Sequence, residues 1–127
     1  MIQGYFPGGV RFCIEETGMI IVNITMTVKP DKYLEFRQTL LSMIGPTENE
    51  AGCLSHAVSQ DISDKNCFSL MQTWQSSNDL DRHLKSPRFG VLLGSKSLLN
   101  EPLQVQIHTV SQTKGMEAIQ TARNRWS

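Results

Sequence analysis

The chain has 127 residues, and its 12 basic and 12 acidic side chains give a formal net charge of zero. This length predicts one domain with a single core, and the even charge argues against nucleic acid or an anionic membrane surface as a partner. No apolar run approaches the roughly 20 residues that cross a bilayer, so we expect no membrane segment and a cytoplasmic location.

The first predicted element of the core is a strand over residues 19–28. Residues 1–18 precede it and contain four glycines and a proline, which indicates an N-terminal extension. From Met19 the chain is rich in β-branched residues and alternates in side-chain character. One face of this strand carries only apolar side chains, namely Ile20, Val22, Ile24, Met26 and Val28. The other face is mixed and includes Asn23.

A helix and a strand pair are predicted next. Pro30 suits a first helical turn, and apolar residues then recur at spacings of three and four as far as Ile44. Gly45 and Pro46 are expected to end this helix. Residues 53–61 and 67–75 each favour a strand, and the short polar connection between them predicts a hairpin.

The remaining predicted elements are a helix over 77–85, a less regular segment over 87–99 and a last strand within 101–111. Ser76 or Ser77 suits the cap of the first helix, and Ser86 followed by Pro87 starts the second segment. The last strand alternates strictly, with Val105 and Ile107 on one face. Residues 111–127 are polar and form a C-terminal tail, so the core domain is expected at 19–110.

The order of strand, helix, strand, strand, helix, strand is typical of the α+β, ferredoxin-like split βαβ fold, with helices on one face of an antiparallel sheet. The other face then has no cover within the chain. We expect Ile20, Val22, Ile24 and Met26 on that uncovered face, which would leave hundreds of Å² of apolar surface exposed. A second copy of the chain is the simplest cover, so we expect a homodimer.

Several motifs resemble those of one known family. They are VKPDKYLEF after the first strand, NEAGCL before the second, FSLMQTWQS in the third, and a histidine with SPRF after it. Over about residues 19–109 the chain is similar to the antibiotic biosynthesis monooxygenases, which form dimeric α+β barrels. The resemblance implies a homodimer in which each subunit holds a small aromatic molecule between its sheet and its helices. Gln72 stands where that family more often has glutamate.

The same superfamily includes a heme-degrading branch. That branch uses an asparagine, a tryptophan and an iron-ligating histidine. Asn23 and Trp74 match the first two by position, but the place of the histidine falls close to Leu93. Leucine offers iron no lone pair, so heme chemistry is not expected.

Three residues are the candidates for catalysis. Asn23 is the one amide of the first strand and can bind a substrate oxygen. Trp74 can stack on an aromatic ring, and His83 follows it on a predicted helix, where an imidazole can act as a general base at neutral pH. A structural role is the alternative for each of them: an amide satisfied by backbone, a core indole, or a helix histidine.

The candidates for substrate binding are Phe68, Leu70, Phe89 and His56. The three histidines of the chain show no spacing that gathers the three or more ligands of a metal site, so no metal is expected. The three cysteines form an odd and widely spaced set, which indicates reduced thiols, and neither Cys53 nor Cys67 has a neighbour that would activate it.

Three hypotheses of function remain open. The first, which the resemblance implies, is a cofactor-independent monooxygenase that uses dioxygen on an electron-rich phenol, quinol or polyketide-like compound. The second is a non-oxidative enzyme that isomerises or degrades a small signalling metabolite in the same pocket. The third is a small-molecule-binding stress-response module without chemistry. No nucleotide-binding or nucleophile-elbow motif occurs that would point elsewhere.

Overall fold

A computed structural model of the chain describes residues 3–5, 11–13 and 18–125. Two short strands, β1 (Gln3–Tyr5) and β2 (Arg11–Cys13), pair antiparallel within the N-terminal extension. The core domain follows from residue 18.

The core domain contains a four-stranded antiparallel sheet. Its strands are β3 (Ile20–Thr27), β4 (Cys53–Gln60), β5 (Cys67–Trp74) and β6 (Gln104–Thr109). The helices are α1 (Tyr33–Glu48), α2 (Ser77–Leu84), α3 (Pro87–Gly94) and α4 (Met116–Arg125), with short 3-10 turns at Pro30–Lys32 and Ser95–Leu98. The spatial order of the strands is β4-β5-β3-β6. This arrangement confirms the expected ferredoxin-like split βαβ fold.

The end of α1 differs from the expectation. Gly45 and Pro46 were expected to stop the helix, but α1 continues through both residues to Glu48. Pro46 cannot donate a backbone hydrogen bond, yet it lies within the final turn, where only one intrahelical bond is lost. The helix regains a bond at once, because the backbone N–H of Asn49 donates to the carbonyl of Gly45 at 3.2 Å. The longer helix brings Thr47 into the buried interior.

The expectation about the uncovered face of the sheet is wrong. Ile20, Val22, Ile24 and Met26 are at most 4% exposed, because they form the core with buried side chains of α1, α2 and α3. Among the described residues, the opposite face is the more exposed one. It carries Asn23 and, directly beside it, Met71 of β5 and Gln106 of β6. Met71 is 49% exposed there.

Two further features complete the domain. On the edge strand β6, Val105 and Ile107 share the core side of the sheet with Ile24 and Val22 but remain about half exposed. The C-terminal helix α4 buries none of its residues. Over residues 3–5, 11–13 and 18–125, no helix is long and apolar enough to cross a membrane.

Candidate active site

A chain of hydrogen-bonded side chains lies between the sheet and α2. The indole Nε1 of Trp74 donates to Oε1 of Gln72 at 3.0 Å, and Nε2 of Gln72 lies 3.2 Å from Nε2 of His83. On the other side of the imidazole, Nδ1 of His83 is 2.9 Å from Oε1 of Glu50. Trp74, Gln72 and His83 are each at most 1% exposed. These four residues are called the polar relay below.

The partners of His83 define its tautomer. A carboxylate can only accept hydrogen bonds, so Nδ1 of His83 carries the proton and donates to Glu50. Nε2 of the neutral ring is then an acceptor for the amide N–H of Gln72. The lone pair of Nε2 therefore points toward the sheet, where it accepts this hydrogen bond. This is the arrangement in which an oriented imidazole can take a proton from a bound molecule.

Aromatic rings surround the imidazole. The ring centroid of Trp74 lies 4.8 Å from that of His83, with a tilt of 30° between the planes. Phe89 of α3 meets the same imidazole edge-on at 5.4 Å. His83 thus contacts both of the other sequence candidates, Trp74 and Phe89. All three side chains are buried, so the site is closed in this conformation.

The turn between α1 and β4 places Glu50 beside α2. Gly52 adopts a positive φ of 84°, and a Cβ atom at this position would overlap the side chain of Asp79. Asp79 belongs to the N-terminal turn of α2, where its backbone N–H donates to the Ser76 hydroxyl that caps the helix. Only glycine satisfies both the backbone conformation and the close approach. The turn and the helix that carries His83 are therefore packed against each other.

The junction of α2 and α3 positions the partner of the second carboxylate oxygen of Glu50. The hydroxyl of Ser86 donates to the carbonyl of His83 at 2.7 Å and accepts from the backbone N–H of Phe89, so it closes α2 and caps α3. Arg88, in the first turn of α3, forms an ion pair with Oε2 of Glu50. Each oxygen of the Glu50 carboxylate thus has a partner, which holds Oε1 toward the imidazole.

His56 lies beside the polar relay. It is the residue of β4 directly opposite Gln72, and it is 7% exposed. Burial lowers the pKa of His56, and the electrostatic interaction with His83 lowers it further. The carboxylates of Glu48 and Glu50 oppose this shift with smaller effects. His56 is therefore held as a neutral imidazole next to the relay.

The structure does not bring the other candidates to this site. Asn23 faces away from Trp74, because the register pairs Trp74 with Ile20 on the core side while Asn23 lies on the opposite face. The expected joint action of Asn23 with Trp74 and His83 is therefore not supported. Phe68 lies six residues before Trp74, roughly 20 Å along the strand, and packs on Tyr33 and Phe36. Leu70 lies between these points, fully buried in the core.

Cys53 lies next to this region but is poorly suited to nucleophilic chemistry. Burial raises the pKa of its thiol, and the charge of Glu50 raises it further. Within residues 3–5, 11–13 and 18–125, no three histidine, cysteine or acidic side chains gather closely enough to hold a metal ion.

Sequence reasoning did not identify Glu50, Gln72 or Arg88 as site residues. For Gln72 there was a signal, since it is a polar residue on the strand face that otherwise carries Phe68, Leu70 and Trp74. Glu50 precedes a turn and Arg88 begins a helix, and neither position reveals a partner about 35 residues away in the chain.

Comparison with known proteins gives one family match. Residues 19–92 match the model of the family described as antibiotic biosynthesis monooxygenase. An uncharacterized protein of Synechocystis, sll1783, is 31% identical over 96 residues, which cover 75% of this chain and 65% of the relative. The chain therefore spans somewhat less than two thirds of the length of that relative.

Solved structures show the same fold. A conserved protein from Methanosarcina mazei superposes with a TM-score of 0.69 at 26% identity, covering 73% of this chain and 93% of its own. Rv0793 from Mycobacterium tuberculosis has a TM-score of 0.72 at 24% identity, covering 77% of this chain and all of its own. The second similarity concerns the fold alone.

Proposed function

The chain belongs to the antibiotic biosynthesis monooxygenase family, and on that premise we propose that it is a cofactor-independent monooxygenase of a small electron-rich aromatic compound. His83 is the general base in this proposal. The observation that carries it is the 2.9 Å contact between Glu50 and His83, which leaves the opposite nitrogen of the ring as the proton acceptor. Alignment of a base by a carboxylate is the usual means of orienting a catalytic imidazole.

Proton transfer is the step to which the protein contributes. Nε2 of His83 takes the proton of a phenolic hydroxyl, and the resulting imidazolium is stabilised by the carboxylate of Glu50. General base catalysis by a positioned side chain contributes roughly 10²–10⁴-fold. Arg88 is a positioning residue, since it touches Glu50 rather than the substrate.

The substrate supplies the electrons for the oxidation. The deprotonated ring is electron-rich and reduces dioxygen by itself. For a quinol, one oxygen atom enters the ring to give a hydroxyquinone, and the other leaves as water, so atoms and electrons balance without a further reductant. Trp74 and Phe89 supply apolar ring surface on which the substrate can stack.

Substrate entry requires a local rearrangement. Nε2 of His83 is occupied by the amide of Gln72, and both side chains are buried. The substrate hydroxyl must therefore replace this amide before the proton can be transferred. We expect the side chain of Phe89 to move, since its ring contacts His83 edge-on without a hydrogen bond.

The test is oxygen uptake by purified protein with a panel of quinols and hydroxylated polycyclic aromatics. We expect uptake with at least one of them, and a loss of 100-fold or more in His83→Gln. Turnover under strict anaerobiosis would favour the non-oxidative enzyme instead. Tight binding that His83→Gln leaves intact, without turnover, would favour the binding module. Uptake unchanged in His83→Gln would contradict the role of this residue.

The homodimer implied by the family remains part of the proposal, with a changed interface. The apolar side chains of β3 are already buried under the helices, so the contact surface in this proposal is the open face around Asn23 and Met71. This assignment gives Asn23 a role at the interface rather than in the reaction.

A further inference from the structure

Two buried side chains have unsatisfied polar atoms: His56, beside the polar relay, and Thr47, in the last turn of α1. Thr47 is fully buried and His56 is 7% exposed. Among the described residues, no atom forms a hydrogen bond with Oγ1 of Thr47 or with Nδ1 or Nε2 of His56. Removing such groups from water without replacing their hydrogen bonds is unfavourable, and folded proteins rarely leave them so. A bound group that completes these bonds would remove the penalty.

His56 is adjacent to the place where the substrate must bind, and Thr47 belongs to the helix that packs on the strand of His56. His56 is directly opposite Gln72 on the core side of the sheet, which puts the two Cβ atoms about 5 Å apart. Gln72 in turn covers the lone pair of His83. Thr47 lies in the last turn of α1, which packs on β4, and the chain reverses direction between the two. The two side chains thus border the same end of the sheet as the relay.

Their chemistry matches a hydroxyl group. A neutral imidazole offers one donor and one acceptor, and a threonine hydroxyl offers a donor and acceptor lone pairs. Burial and the electrostatic interaction with His83 lower the pKa of His56 and so keep it neutral. The carboxylates of Glu48 and Glu50 also act electrostatically on His56. Their negative charges would repel an anionic oxygen bound at His56, which favours an uncharged group. A hydroxyl can donate and accept at once, whereas a carbonyl can only accept.

We infer that Thr47 and His56 form a subsite for an uncharged hydroxyl group of the substrate, beside the oxygen that His83 deprotonates. The inference rests on the proposed function and narrows its substrate class to aromatic compounds with two hydroxyl groups. The amide of Gln72 gives way to the first hydroxyl, and the second completes the hydrogen bonds of Thr47 and His56. Both side chains act as specificity-determining residues.

The test is calorimetric titration of the full-length protein without oxygen, using two ligands that share one skeleton: 2-naphthol and 2,3-dihydroxynaphthalene. We expect the dihydroxy compound to bind 10-fold to 100-fold more tightly. Thr47→Val and His56→Phe remove the polar atoms with little change of volume. Each is expected to reduce that preference to within 3-fold, chiefly by weakening the binding of the dihydroxy compound. Thr113→Val, at an exposed position, is the matched control.

Thermal unfolding of the free protein gives a second readout, which separates the subsite from a purely structural role. Because the hydroxyl of Thr47 has no partner in the free protein, we expect the Tm of Thr47→Val to equal or exceed that of the wild type. A lower Tm, with the ligand preference retained, would mean that a buried water alone satisfies the group, and would overturn the inference. Thr47→Val carries the test by itself if His56→Phe does not fold.

The outcomes also separate this inference from the proposed function. Failure of 2,3-dihydroxynaphthalene to bind, or equal binding of both compounds by the wild type, would overturn the subsite. A preference that is lost in Thr47→Val, in a protein that consumes no oxygen with either compound, would leave the subsite standing and reject the monooxygenase. Oxygen consumption without a preference between the two compounds would reject the subsite and leave the monooxygenase standing.

Discussion

Oε1 of Glu50 lies 2.9 Å from Nδ1 of His83, although 33 positions separate the two residues in the chain. Glu50 comes from the turn after α1 and His83 from the last turn of α2. This contact fixes the orientation of the buried imidazole of His83.

Replacement of Glu50 by glutamine should reduce the catalytic rate more than the affinity. The amide can still accept from Nδ1 of His83, but it no longer stabilises the imidazolium and it leaves Arg88 without its ionic partner. We expect kcat to fall 10-fold to 100-fold, and the free energy of unfolding to fall by about 1–3 kcal/mol. The measurements are oxygen uptake and urea unfolding. Glu48→Gln, at an exposed position two residues earlier, is the control and should change neither.

The stability of the protein should depend on pH through His56. In the folded state the pKa of His56 is lowered from its ordinary value of 6.5 by burial and then by the electrostatic interaction with His83. The unfolded chain therefore binds a proton at a higher pH than the folded chain does. As the pH falls below about 6.5, the free energy of unfolding decreases, by at most about 1.4 kcal/mol per pH unit for this group. The decrease ends once the pH is below the folded pKa.

Urea unfolding between pH 5 and pH 8 measures this dependence. His56→Phe should remove the contribution of this group, so that the curve is flatter below pH 6.5 than that of the wild type. His108→Gln, which replaces an exposed histidine of β6, is the control and should keep the slope of the wild type. Equal slopes in the wild type and in His56→Phe would contradict the prediction.

Gly52 and Gly90 should respond in opposite ways to alanine. Gly52 has a positive φ, which costs an L-residue roughly 1–2 kcal/mol, and its new methyl group would also overlap Asp79. We expect Gly52→Ala to lower the Tm by several degrees and to weaken oxygen uptake, because the turn that carries Glu50 must shift.

At Gly90, within α3, a Cβ atom meets no other atom within 4 Å. Gly90→Ala should therefore stabilise the protein by about 0.5–1 kcal/mol through helix propensity. Thermal unfolding of both variants would reveal whether the two effects differ in sign.

A charge at the centre of the open face should separate the proposed dimer. Met71 is 49% exposed there, directly beside Asn23. In Met71→Lys two like charges would meet near the symmetry axis, so we expect a monomer by light scattering at concentrations where the wild type is a dimer. Val91→Lys, on the exposed side of α3, introduces the same charge away from this face and should leave the dimer intact. A wild type that is monomeric at high concentration would rule out the dimer altogether.

The sequence by itself determined the order and type of the core elements. Alternation set the strands from Ile20 and Cys53, and Ser76 and the Ser86–Pro87 pair set the starts of α2 and α3, because these signals act within a few residues. It did not determine the end of α1, since a proline in a final turn costs only one hydrogen bond. Nor did it determine which face of β3 the helices would cover.

Only the tertiary structure decided what the candidate site contains. Strand register places Trp74 opposite Ile20 and away from Asn23, and a shift of one residue would have reversed that result. The contacts of Glu50 and Arg88 with residues far along the chain depend on how the turn before β4 packs against α2 and α3. The unsatisfied atoms of Thr47 and His56 likewise become visible only when the whole interior is assembled. Local patterns encode the backbone, whereas hydrogen bonding between distant side chains depends on packing that no short stretch specifies.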